Sequence, residues 1–270
     1  MFAGVSTVLF SAVVILPFIY GLYLTFTSWD GVSKDKPFVG LANYIATFQD
    51  AAYWQALGRT LIYSVIAVIL VNVVAFFLAY LLTSGIKGQN FFRAGFFVPN
   101  LIGGIVLGYI WQILINCILS LASKPLLALN SSAGYWGLII LMCWQQIGYM
   151  MIIYIAGLQN VPSDLVEAAE IDGANTWDVL WKIKLPMVMS SVTICVFLTL
   201  TNSFKLFDQN LALTGGDPNH STEMLALNIY QTFYARAGAL FKAIRRQRQM
   251  CIRDSSMLQL KLTKSKEVQQ

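Results

Sequence analysis

The chain has 270 residues, of which 57% are hydrophobic and 11% charged, with a mean hydropathy of +0.64. A soluble domain carries about 25% charged residues, so water is not the main solvent of this one. The formal charge of +5 does not point to nucleic acid, because eight of the eighteen Lys and Arg crowd into residues 242–270, leaving ten basic and eleven acidic residues elsewhere.

From the N-terminus, residues 2–27 are long enough to cross a hydrocarbon core, which takes about 20 apolar residues. They have neither a basic leader nor a small-residue cleavage site, so they read as a first crossing and not a signal peptide. The polar loop "SWDGVSKDKPFVGLANYIATFQDAAYWQ" follows. Further crossings are expected over 57–83, 92–115, 136–158 and 187–207. None contains Asp, Glu or His, the groups that proton- or sodium-coupled carriers place inside the membrane. With the N-terminus inside, Lys87, Arg93, Lys182 and Lys184 are cytoplasmic, and the Lys/Arg bias favours that orientation. Lys205 is expected to snorkel to the outer interface and pair with Asp208. Cys117, Cys143, Cys195 and Cys251 form no C-x-x-C pair and His220 has no metal-spaced companion, so packing and a loop position are expected of them, with no metal site.

The tail is anomalous. A sixth crossing is required after the outer segment, yet "FKAIRRQRQMCIRDSS" puts five basic residues between Lys242 and Arg253, and each central Arg costs several kcal/mol. We expect one membrane domain over 1–240 and a basic tail over 241–270, the scar of a frameshift or of sequence assembly replacing most of the last helix; the other reading is a genuine amphipathic surface helix.

Between the fourth and fifth crossings, "VEAAEIDGANTWDVLWKIKLP" (166–186) interrupts the apolar pattern with an acidic, amphipathic passage. Pro162 and Ser163 signal a helix start, with Ser163 as the cap. Asp164 and Glu167 suit the positive end of the helix dipole. Gly173 is expected to end the helix left-handed, and Asn175 or Thr176 to cap a second helix. In that helix Trp177, Leu180, Trp181 and Lys184 share one face, and Pro186 stops it.

Glu167-Ala168-Ala169, Gly173, Ile183 and Leu185-Pro186 reproduce the spacing of the "EAA" signature of importer permeases of the ATP-binding-cassette class. Over nearly all of residues 1–240 the chain resembles the maltose-type, binding-protein-dependent sugar permeases. "FRAGFFVPNLIGGIVLGYIWQILIN", "AGLQNVP", "ALTGGDP" and "FVGLANY" carry the resemblance; Asp217 departs from it, standing where a third glycine is usual. The family's basic N-terminal stub is missing, which reads as a late or truncated start.

The resemblance implies an all-α polytopic bundle of the type I importer (MetI-like) fold, with five clear crossings and a disrupted sixth, in a bacterial plasma membrane. It implies a second permease subunit, two cytoplasmic ATPase subunits and an extracytoplasmic solute-binding protein that delivers a carbohydrate, and no cofactor. Residues 160–186 would couple to the ATPase through Glu167, Ala168, Ala169, Asp172, Gly173, Ile183, Leu185 and Pro186. The chain agrees in lacking any G-x-x-x-x-G-K-[ST] phosphate loop, so hydrolysis falls to another subunit and no catalytic residue is expected here. A sugar needs hydroxyl-matching groups and an aromatic face. Candidates are Asn100 and Gly104 in the third crossing, Gln145, Gln146 and Tyr149 in the fourth, and Thr199, Asn202 and Ser203 in the fifth. Each alone also suits interhelical hydrogen bonding. The other readings are an amino-acid, phosphate or peptide importer, and a secondary carrier.

Overall fold

The computed structural model describes residues 2–29 and 36–234. Among them every regular element is a helix, and extended pairing is confined to an isolated bridge between Thr27 and Phe38. The described residues divide into two compact units, one of those up to 57 with those from 225, the other of residues 58–224.

In the first unit, α1 (Phe2–Phe10), a π turn (Ser11–Ile15) and α2 (Leu16–Thr25) form the first crossing. Val8, Val13 and Leu16 all point outward, as on a helix whose solvent is lipid. The following loop is tied down from α3 (Ala42–Phe48), where Asn43 Nδ2 donates to the carbonyls of Thr25 and Thr27 at 2.6 and 3.0 Å.

The second unit takes up most of α4 (Ala51–Thr83). The single crossing expected over 92–115 is instead two helices, α5 (Gln89–Phe97) and α6 (Gly104–Leu121), joined by a 3₁₀ turn (Val98–Leu101). Pro99 cannot donate a helical hydrogen bond, and Ile102 is extended at φ −84°, ψ 131°. The central helix α7 (Ser131–Gln159) starts at Asn130, whose side chain accepts from Ala133 N at 3.1 Å. Its Met150, Met151 and Tyr154 pack with Val71, Ala75 and Ala79, one small-residue stripe of α4, which lets the backbones come close.

Beyond α7 come α8 (Ser163–Ile171), α9 (Thr176–Asp178), a π turn (Val179–Lys184), α10 (Leu185–Met187), α11 (Met189–Phe204) and α12 (Asp208–Leu213). Thr83, Leu158, Val161, Val166 and Lys184 share a cleft of about 230 Å³. The C-terminal ends of α4 and α7 therefore meet α8 at one end of the unit. Back in the first unit, α13 (Leu225–Tyr234) packs Leu225 and Ile229 with Leu57.

Among the described residues four helices are long and apolar enough to cross a membrane, and 176–187 with 189–204, bent by 69°, makes a fifth when taken as one span. That agrees with the five crossings expected. The basic stretch after residue 241 lies outside the described residues.

Candidate functional site

The polar groups of the second unit gather where the third crossing breaks. Gly148 of α7 lets the end of α5 lie against it just before the break: a Cβ there would lie 1.8 Å from the carbonyl oxygen of Phe96. One turn earlier, Gln145 reaches the backbone freed by the break, its Nε2 donating to Ile102 O at 3.3 Å. Gln145 Oε1 accepts from Gln209 Nε2 at 2.7 Å, and Gln146 Oε1 accepts from Asn202 Nδ2 at 3.2 Å. Irregular backbone at membrane depth persists where side chains re-satisfy it in this way.

The eight expected sugar contacts do not form one surface. Gln145, Gln146 and Asn202 come together as just described. Thr199 and Ser203 are fully buried and donate to carbonyls of their own helix, Cys195 O and Thr199 O, both at 2.8 Å. Gly104 faces α12, where a Cβ would stand 2.8 Å from the Asp208 Cβ. Asn100 and Tyr149 are half-buried, and among the described residues neither side chain has a hydrogen-bond partner. They are the groups with polar capacity to spare.

Two buried residues linked to Thr199, Asn72 and Tyr154, escaped the sequence reading. Tyr154 OH donates to Asn72 Oδ1 at 2.8 Å, and Asn72 Nδ2 donates to Thr199 Oγ1 at 3.3 Å, joining α7, α4 and α11. The signal was available: Asn72 is the one amide in the apolar run 60–86. Arg59 and Glu223 were also missed. Arg59 Nη1 donates to the main-chain carbonyls of His220 and Glu223, the latter at 3.0 Å. His220 Nδ1 lies 2.5 Å from Oε2 of the buried Glu223, so the lone histidine is not simply a loop polar group. Asp217 stands exposed in the same turn and is not among the residues at positive φ, so the turn does not need a glycine there. Lys205 and Asp208 are both exposed and form no ion pair.

At the other end of the unit the interruption folds as a helical hairpin. No residue of α8 is buried. Its N-cap is Pro162, not Ser163, whose hydroxyl turns to Asp164 Oδ1 at 3.4 Å. Gly173 sits at φ +85°, with Ala174 N bonded to Ala169 O at 2.9 Å and Gly173 N to Glu170 O at 3.1 Å. This is a Schellman close, which favours glycine at the left-handed position. Asn175 caps α9, accepting from Asp178 N at 2.9 Å. Trp177 and Trp181 remain exposed, and Lys184 Nζ lies 5.2 Å over the Tyr80 ring. Pro186 does not stop the second helix. Its missing N–H and its ring, which crowds the carbonyl four residues back, widen the preceding turn to π, and the chain bends after Val188. Glu167, Ala168, Asp172 and Gly173 are exposed, Ala169 is half-covered, and Ile183, Leu185 and Pro186 carry the hairpin into α11.

Residues 72–244 match the family described as binding-protein-dependent transport system inner membrane component. The chain is 40% identical, over 95% of its length and 90% of the relative's, to the probable starch degradation products transport system permease protein AmyD of Thermoanaerobacterium thermosulfurigenes. It is 33% identical to the multiple sugar-binding transport system permease protein MsmF of Streptococcus mutans, over 93% and 90% of the two chains. A similar fold occurs in a bacterial alginate ABC transporter solved with its pentasaccharide-bound periplasmic protein, with TM-score 0.75 and 16% identity over 93% of this chain and 88% of that one.

Proposed function

Because the chain belongs to the binding-protein-dependent transport system inner membrane components, we propose that it is the permease subunit of an ATP-driven carbohydrate importer. It is a multi-pass protein of the bacterial plasma membrane. With a second permease it encloses the path of a sugar delivered by an extracytoplasmic solute-binding protein. The names of the starch-product and multiple-sugar relatives favour carbohydrate over an amino acid or peptide.

Two cytoplasmic ATPases drive transport, and the exposed hairpin 160–186 is the part that docks on them. The observation that carries this is an acidic helix with no buried residue, closed by a left-handed glycine and rooted through α10 in a crossing. A helix that buries nothing within its own chain and is nonetheless capped at its turn is shaped to fit a partner's groove. Glu167 offers its carboxylate to a basic rim, and the small Ala168 and Ala169 allow close approach.

The test is co-purification of the ATPase with the permease pair, followed by ATPase activity stimulated by the loaded binding protein. Glu167→Lys turns attraction into repulsion. Gly173→Val strains the turn by about 1–3 kcal/mol. Both should abolish association or stimulation while the permease still inserts and pairs. Normal association and stimulation in both variants would remove the coupling role, and uptake by this chain without ATP would favour a secondary carrier.

A further inference from the structure

A cleft of about 310 Å³ lies between α5 and the last two turns of α7, walled by Arg93, Phe97, Ile152, Ile155, Ala156 and Gln159. Arg93 enters it half-buried, and its Nε is sealed from solvent with no hydrogen-bond partner. Among the described residues Arg93 takes part in no ion pair, so no carboxylate answers the guanidinium. A buried donor on a cation that cannot lose its proton calls for an anion.

We propose that this cleft binds an anionic phospholipid of the cytoplasmic leaflet, its headgroup phosphate on Arg93 and an acyl chain along Phe97, Ile152 and Ile155. The two requirements come from the walls. Arg93 demands negative charge, and the apolar remainder demands a hydrocarbon portion; a neutral sugar meets neither. α5 is built for that depth, with Phe91, Phe92 and Phe96 exposed and Lys87 exposed just before it, the pattern of an interfacial helix with a basic flank. Basic pockets between crossings on the cytoplasmic side hold lipid headgroups elsewhere. Gln159 stands four residues before the start of α8, so the bound lipid braces the root of the coupling hairpin. The leaflet follows from the orientation of the importer proposed above; the binding chemistry does not depend on transport.

Native mass spectrometry of the assembled transporter, purified in mild detergent with added phosphatidylglycerol, counts the retained lipid. Arg93→Gln should lower retention about fivefold, the equivalent of about 1 kcal/mol for one basic residue at the headgroup. Ala156→Trp fills the cleft with the charge intact and should lower it as well. Lys124→Gln, at the other end of the unit, should leave it unchanged. Unchanged retention in both cleft variants overturns the proposal. Displacement of the lipid by inorganic phosphate would make this a free-anion site and also overturn it. So would protection of an Ala94→Cys variant, Ala94 being a further wall residue of the cleft, from a thiol reagent by sugar but not by phosphatidylglycerol, which would put the cleft in the sugar path. Failure of the importer reading shows separately, as an absence of binding-protein-stimulated ATPase activity in the unaltered complex whose lipid is retained.

Discussion

At the level of single residues, Gly148 and Gly95 make the sharpest contrast. The position of a Cβ at Gly148 coincides with the Phe96 backbone, whereas one at Gly95 meets nothing within 4 Å. Backbone cannot yield as a flexible side chain does, so Gly148→Ala should cost at least the roughly 1–3 kcal/mol typical of overpacking. Gly95→Ala should be tolerated. The yield of detergent-stable permease and its melting midpoint would separate them, and equal behaviour would mean that α5 does not press on α7 as described. Residues of this kind were the least legible in the sequence. Gly148 is an ordinary small residue in an apolar run until the carbonyl opposite it is known. Gly173 was legible because an acidic helix start, a glycine and an amide cap follow one another within a short stretch.

On the scale of elements, helix type and rough extent follow from apolar runs, and the exposed helical hairpin from its punctuation by Pro162, Gly173 and Asn175. What local patterning does not reveal is where a crossing breaks or bends. Pro99 and Pro186 lie in or beside runs apolar enough to span, and proline consequences depend on whether neighbours re-satisfy the freed backbone. Around Ile102 Gln145 does so; at Pro186 the chain widens to a π turn. The candidate sugar groups divide in the same way. On α7, Gln146 is held by Asn202 and Tyr149 is open, whereas Thr199 and Ser203 of α11 have spent their hydroxyls. Gln146→Ala and Tyr149→Ala should therefore reduce sugar-stimulated transport, more for longer oligosaccharides, since each unmade buried hydrogen bond costs about 1–3 kcal/mol. ATPase association should persist. Transport at the parental rate in both would take the sugar site away from α7.

For the whole molecule, the contacts that close the second unit join residues far apart in sequence, and nothing local announces them. Arg59 near the start of α4 holds the carbonyls of His220 and Glu223, which close the turn after α12. Arg59→Ala should release that turn while leaving the crossings inserted. Limited proteolysis from the outer side should then cut within 215–223, with the parental protein protected. Equal protection would show that the turn is held by Asn210, which bonds Thr222 O at 2.9 Å and Met224 N at 3.0 Å.

The 69° bend at Val188 also has a mechanical meaning. The arm from Thr176 to Met187 is twelve residues long, about 18 Å at helical rise. Each degree of rotation about Val188 sweeps its far end through about 0.3 Å, so a few degrees of tilt at the hairpin corresponds to an ångström at Thr176. Under the proposed docking of the hairpin the bend would serve as a lever with a packed fulcrum: Val188 is buried in one cluster with Met150, Met151 and Tyr154. In the coupling role proposed above, a push at the hairpin end would be delivered to the base of α11, the helix that carries Asn202 toward Gln146.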